Sequence, residues 1–250
     1  MRRLFWDIET SPNVGYFWQS GYKLFIPPEN IIRERAIICI CYKWEDEDDV
    51  HSLEWNKGDD KKLIKSFSKI INEADELIAH NGDRFDIKWF NGRHLIHGLD
   101  PIPQSKTIDT LKIARKYFRL NSNKLDYLAQ VLLGEGKIQV PFSLWSRVMD
   151  NEPSAMKEMI RYCKKDVLLL ERVYERLAAY DTPKTHMGVM MGKERWTCKH
   201  CGSESVTVSK TKVTSAGIIQ KQMQCGDCHR YYSIAENVWR DYLVAKCKEG

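Results

Sequence analysis

No stretch of this 250-residue chain approaches the ~20 apolar residues that a membrane-spanning helix needs, and the sequence opens Met1-Arg2-Arg3 directly into Leu4-Phe5-Trp6, without the apolar core of an export signal. It contains no internal repeat and no low-complexity tract, so it is not an array of stacked units. A strong charge of one sign is also missing: 39 Lys and Arg stand against 34 Asp and Glu, a formal +5. These absences set the expectation of a soluble, cytoplasmic protein with no membrane partner. The length allows one or two domains with a sizeable core.

The small positive excess is unevenly spread. Residues 181–250 hold 11 Lys and Arg against 7 Asp and Glu, which leaves residues 1–180 nearly balanced. Four bound thiolates on one zinc ion would remove about two of those charges, so the basic excess of the tail is modest and fits nucleic-acid contact.

Cysteine is the next guide. Of eight, four form two Cys-x-x-Cys pairs, Cys198/Cys201 and Cys225/Cys228, with 23 residues between them. In an intracellular chain such pairs mark metal binding rather than disulfides. The flanking Val206-Thr207-Val208 and Ile218 to Met223 are β-prone, so the whole reads as a zinc ribbon with a tetrahedral four-sulfur site for one structural Zn²⁺. His200 and His229 are spectators beside the knuckles. Cys39 and Cys41 fall in the apolar Ile37-Ile38-Cys39-Ile40-Cys41 run as small buried residues; nothing distinguishes Cys163 or Cys247.

Acidic residues carry the rest. Asp7 and Glu9 end an apolar strand, and positions two apart on a strand share a face. Asp86 closes Asn81-Gly82-Asp83-Arg84-Phe85-Asp86, a turn running into a helix. Tyr162 and Asp166 lie four apart in a helix from about Ser154 to Tyr180, set by Met159, Cys163, Val167, Leu170, Val173 and Leu177. Carboxylates gathered from three distant segments repel unless cations neutralise them, which calls for hard ions such as Mg²⁺. Asp-x-Glu also occurs at Asp150/Glu152 and Tyr-x-x-x-Asp at Tyr42/Asp46, but in a polar turn and beside the acidic run Glu45 to Asp49, without the apolar settings.

In order and spacing these motifs resemble the DEDD superfamily of 3′→5′ exonucleases in its tyrosine variant. Asn123 to Lys137 and Thr107-Ile108-Asp109-Thr110-Leu111 are similar to segments of the exonuclease domains of family B DNA polymerases, over roughly residues 1–180. Asp109 falls in place as a supporting residue or helix N-cap. The resemblance implies an α/β, ribonuclease H-like mixed sheet flanked by helices, without the polymerase part. It also implies two Mg²⁺ or Mn²⁺ ions, with Asp7 bridging them, Glu9 and Asp166 completing one ligand set and Asp86 serving the other. In that scheme one ion activates a water and the other stabilises the leaving 3′ oxygen. Tyr162 would orient the water, Thr10 would contact the 3′ end, and Asn81 and Phe85 would support the second motif. Phe17, Trp18 and Tyr22 are candidates to stack on terminal nucleotides.

The details of the ribbon resemble zinc ribbons attached to transposases. That implies DNA contact by Lys210, Lys212, Lys221 and Arg230, with Tyr231 or Tyr232 stacking on bases. The expected organisation is an exonuclease domain over 1–182, a linker over 183–194 and a small ribbon with a C-terminal extension over 195–250. The expected function is metal-dependent removal of 3′-terminal nucleotides from DNA. Two alternatives stand beside it: a 3′→5′ exoribonuclease, and a DNA-binding or recruitment protein that works through its ribbon with a weak or silent nuclease.

Overall fold

The computed structural model describes residues 1–21, 24–103 and 105–249, the side chains of Lys248 and Glu249 excepted. Residues Arg2–Tyr180 form one compact unit and Asp181–Gly250 a second. The first unit runs β1 (Arg3–Thr10), β2 (Val14–Gly15), β3 (Ile31–Arg33), β4 (Ile37–Trp44), β5 (His51–Glu54), α1 (Lys61–Ile71), β6 (Glu76–Ala79), α2 (Asp86–Ile96), β7 (Lys106–Asp109), α3 (Thr110–Tyr117), α4 (Leu125–Leu133), α5 (Ser143–Met149) and α6 (Pro153–Leu177). The second contains α7 (Met187–Met190), β8 (Val206–Val213), β9 (Ile219–Cys225), β10 (Tyr231–Ala235) and α8 (Glu236–Glu249).

The large sheet has the order β5-β4-β1-β6-β7. β1 pairs antiparallel with β4 and parallel with β6, and β7 extends the parallel side, so the sheet is mixed. Both faces are covered. Successive strand residues point to opposite sides, and the side chains of β1 divide accordingly. Leu4, Trp6 and Ile8 pack with Leu63, Ile64 and Phe67 of α1 and Phe90 of α2. Phe5 packs with α6, through Tyr174 among others. Asp7 and Glu9 share the parity of Phe5, so they face the α6 side at the end of that row.

β1 is therefore the central strand of the sheet. The apolar spacing of α6 is met in full: Met159, Cys163, Val167, Leu170, Val173 and Leu177 are all buried. The helix begins with Pro153 at its first turn, where the missing N–H costs nothing. α4 stops at Gly134, whose φ of +71° forms the left-handed cap that a side chain resists.

The second unit is a three-stranded antiparallel sheet, β10-β9-β8, with α8 behind it. Its core is small, comprising Trp196, Cys198, Val206, Met223, Cys225, Tyr232, Ile234 and Val238. Tyr232 is buried there and its hydroxyl donates to the Trp196 carbonyl at 2.7 Å. This corrects the expectation of a stacking role for Tyr232, because a ring held in the core is not available to a base. No helix among the described residues is long and apolar enough to cross a membrane.

Candidate active site

Three of the four expected carboxylates meet. Asp7 and Glu9 from β1 and Asp166 from α6 each offer an oxygen, and the three oxygens lie within 4.8 Å of one another. α6 crosses the sheet beside β1, and it presents Tyr162 one turn before Asp166. The Tyr162 ring meets Trp145 edge-on, with centroids 6.3 Å apart.

Asp86 is fully buried at the first position of α2 and stands outside that trio. Its Oδ1 accepts the Ile8 N–H at 3.2 Å, which ties the start of α2 to the strand between Asp7 and Glu9. The turn before it is shaped for this approach. Asn81 has φ +66°, which asparagine tolerates. A Cβ on Gly82 would stand 2.5 Å from the Ala79 Cβ, so glycine is required for the chain to pass so close. Phe85 precedes the helix and packs against the α1–α2 core, with its ring 6.4 Å from Trp89. Asp109 caps α3, accepting from Leu111 N at 3.0 Å and Lys112 N at 3.4 Å, and also takes the Asn81 N–H at 2.9 Å. It is thus a cap that also fixes the second acidic turn.

Electrostatics single out this corner of the fold. Burial, together with the neighbouring Cys163 and carboxylates, pushes the pKa values of Asp7 and Glu9 well up. Asp86 is raised to about 7, mainly by burial, against the pull of its backbone N–H donors. Asp166 is raised by burial too, opposed by Lys137. The Tyr162 phenol is also raised, by burial and by Asp166, so it keeps its proton at neutral pH. All five shifts are upward, with burial the largest cause in each and neighbouring acidic groups adding to it, an environment that favours added positive charge.

Lys137 supplies part of that charge, and sequence reasoning had given it no role. Its Nζ donates to Asp166 Oδ2 at 2.5 Å, and its own backbone N–H is held by Asp126 Oδ1 at 2.7 Å. Burial alone would lower its pKa, but Asp166 and Asp7 outweigh that and raise it. A single lysine after the Gly134-Glu135-Gly136 turn has no spacing signature; only the fold brings it to the carboxylates. His80 beside it is held neutral, lowered to about 4 by burial and by Lys137.

The remaining expected contacts divide between the two units. Thr10 is buried at the end of β1, where the pairing with β4 slips by one residue. Phe17 and Trp18 are exposed, and Tyr22 lies outside the described residues. In the second unit, Lys210 and Lys212 lie on β8 and Arg230 just before β10. The four knuckle cysteines converge, with Cys198–Cys228 and Cys201–Cys225 sulfur separations of 3.6 Å. Four sulfurs bonded at about 2.3 Å to one tetrahedral ion stand about 3.8 Å apart, so this cluster is compatible with a zinc ribbon.

The model of the RNase_H superfamily family RNase_H_2 matches residues 33–178, more than half of the chain. The chain belongs to the RNase_H superfamily. The matched span contains Asp86, Lys137, Tyr162 and Asp166 and starts after Asp7 and Glu9. Two curated DNA polymerases resemble parts of this RNase H-like chain. One, from Methanocaldococcus jannaschii, is 25% identical over 128 residues, which is 43% of this chain and 8% of the polymerase. The other, a PolC-type DNA polymerase III from Ureaplasma parvum, is 37% identical over 70 residues, 28% of this chain and 5% of the relative. This chain therefore spans a small fraction of the length of either. The solved family B DNA polymerase of Pyrobaculum calidifontis superposes with a TM-score of 0.56 over 71% of this chain and 24% of its own, at 19% identity. That likeness speaks for the fold alone.

Proposed function

We propose that the RNase H-like unit is a metal-dependent 3′→5′ exonuclease of the tyrosine DEDD type, acting on single-stranded or frayed 3′ ends of DNA. The observation that carries this reading is the meeting of Asp7, Glu9 and Asp166 oxygens within 4.8 Å beside a tyrosine one helical turn from Asp166. The similarity of the matched segments to DNA polymerases supports a nuclease over the fold's other uses.

The residues fit a pair of hard cations. The donors are all carboxylate oxygens, half-buried at Asp7 and Glu9 and buried at Asp166, and mutually repelling, and Asp166 Oδ1 is buried without a hydrogen-bond partner. A buried carboxylate oxygen left bare is costly unless a cation or donor completes it. Asp7, Glu9 and Asp166 would hold one Mg²⁺ or Mn²⁺, and Asp7 with Asp86 a second. Bound there, such ions supply Lewis-acid charge toward the attacking water and the leaving oxygen.

The protein's own groups do the positioning. Lys137 favours the ionised form of Asp166, against its burial, and aims its carboxylate. Tyr162, protonated at neutral pH, offers its hydroxyl to orient water rather than to remove a proton from it. The Ile8 N–H and the Asn81 turn fix Asp86 relative to β1. In the second unit the four cysteines would hold one structural Zn²⁺, and Lys210, Lys212 and Arg230 would meet DNA phosphates. Digestion of 5′-labelled DNA and RNA oligonucleotides with Mg²⁺ tests the reading, with Asp7→Ala as control. A ladder shortening from the 3′ end of DNA, absent in the variant, is expected. Shortening of RNA alone would change the substrate, and zinc-dependent DNA binding without digestion would move the function to the ribbon.

A further inference from the structure

A second set of donors lies directly against the carboxylates. Cys39 and Cys41 on β4 stand opposite Glu9 and Asp7 in the strand register. Cys163 on α6 follows Tyr162 and precedes Asp166 by three residues. All three thiols are fully buried, and their sulfurs lie within 4.8 Å of one another. Cys163 Sγ also stands 3.6 Å from the Asp7 carbonyl oxygen and 3.8 Å from Asp7 Oδ2, and Cys41 Sγ 3.8 Å from the Ile160 carbonyl.

A lone buried cysteine is an ordinary small apolar residue. Three that converge from a strand and a helix, with an Asp7 carboxylate oxygen 3.8 Å from one of them, offer three sulfurs and a nearby oxygen to a tetrahedral ion. We propose that Cys39, Cys41 and Cys163, with Asp7 as fourth donor, bind a thiophilic divalent ion such as Zn²⁺ or Cd²⁺, and that its binding shuts off the carboxylate site.

Soft sulfur donors choose such ions over Mg²⁺. Charge selects a divalent ion over Cu⁺, because three thiolates and one carboxylate already carry four negative charges in a buried place. On binding, each thiol S–H gives its proton to water as its sulfur–metal bond forms. Asp7 provides the reason for the shut-off. Its Oδ2 lies 3.8 Å from Cys163 Sγ while its carboxylate also belongs to the acidic trio, and once drawn to the thiol-bound ion it is no longer free to complete the other donor set. Occupancy of the thiol site is independent of the nuclease reading; only the shut-off rests on it.

The test uses the full chain with its ribbon cysteines first saturated by one equivalent of Cd²⁺, in excess Mg²⁺. Equilibrium dialysis and cadmium NMR then read further uptake. Wild type should take a second equivalent, with a resonance distinct from that of the four-sulfur ribbon. Cys41→Ala should take only one, with wild-type near-ultraviolet circular dichroism. Cys201→Ser should lose the ribbon resonance and keep the other. Trimming of 3′ ends by wild type should fall as the second equivalent binds, and Cys41→Ala should need about tenfold more Cd²⁺ for the same loss. A wild type that stops at one equivalent overturns the site, as does a Cys41→Ala protein that still takes two. If Cys41→Ala does not fold, the wild-type spectrum decides alone: a single resonance overturns the site. Two bound equivalents with undiminished trimming overturn the shut-off. A protein that digests nothing still yields the dialysis result, so a failed nuclease reading and a failed thiol site are told apart.

Discussion

The carboxylate corner of the larger unit and the four-cysteine knuckle of the smaller one differ in what holds them together. Around Asp7, Glu9 and Asp166 stands a large core on both faces of a five-stranded sheet, and it forces like charges into contact. There the fold supports a site that works against it. Around Cys198, Cys201, Cys225 and Cys228 stands a core of eight buried residues, two of which are the cysteines themselves. Here the site would support the fold, because so small a core supplies little stability without a staple. On the proposed reading, the two regions separate catalytic strain from structural ligation within one chain.

That contrast can be broken most forcefully at the ribbon. Cys225→Ser, or a strong zinc chelator, should unfold the Asp181–Gly250 unit while leaving Arg2–Tyr180 folded, seen as loss of dispersed amide signals from one unit only. Simultaneous melting of both would erase the distinction. Next in size, Asp7→Ala should lower the rate of 3′ trimming by on the order of a hundredfold or more, yet leave the metal-free melting temperature equal or higher, since it removes one of the repelling charges. A large loss of stability would mean that the corner is structural.

Tyr162→Phe comes third. It should slow trimming about a hundredfold with unchanged Mn²⁺ affinity, measured by titration. The smallest effect sharpens the comparison by pH. Asp60 is fully buried, pairs with Arg93 through both oxygens at 2.8 Å and with His97 at 2.6 Å, and accepts Ile37 N–H at 2.9 Å. Burial alone would raise its pKa, but these donors together hold it below the ordinary value. Its contribution is therefore complete above the usual carboxylate range and fades as pH falls through the lowered folded value. Asp60→Asn should cost the larger unit stability at pH 7, and the difference from wild type should narrow in acid. Denaturant melts at pH 7 and pH 3 check this; a constant difference would deny the ion pair its role.

How much was legible in the sequence follows from what kind of order each part has. α6 could be read because its buried residues keep one helical period across seven turns. Asp7 and Glu9 could be read because strand alternation puts them on one face. β7 went unseen: Lys106-Thr107-Ile108-Asp109 has one large apolar residue, and its place comes from pairing with β6. α8 lay hidden as an undefined C-terminal extension, since its buried residues are few and its amphipathic pattern weak. Lys137 and the Cys39–Cys41–Cys163 cluster were invisible for another reason, because each is a convergence of elements far apart in the chain. Between Tyr231 and Tyr232 the sequence offered no choice, because adjacent tyrosines look the same whether the ring is exposed, as at Tyr231, or in the core, as at Tyr232.

The contrast between a hard-ion corner and a soft-ion knuckle is tested most directly by titrating Mn²⁺ into the chain holding one equivalent of Zn²⁺, enough for its four-cysteine knuckle alone, and following free Mn²⁺ by electron paramagnetic resonance. The account predicts uptake by wild type and by Lys210→Ala, and none at comparable concentration by Asp7→Ala. Equal uptake by Asp7→Ala would contradict it, because the carboxylates on β1 and α6 would then not be what holds the ion.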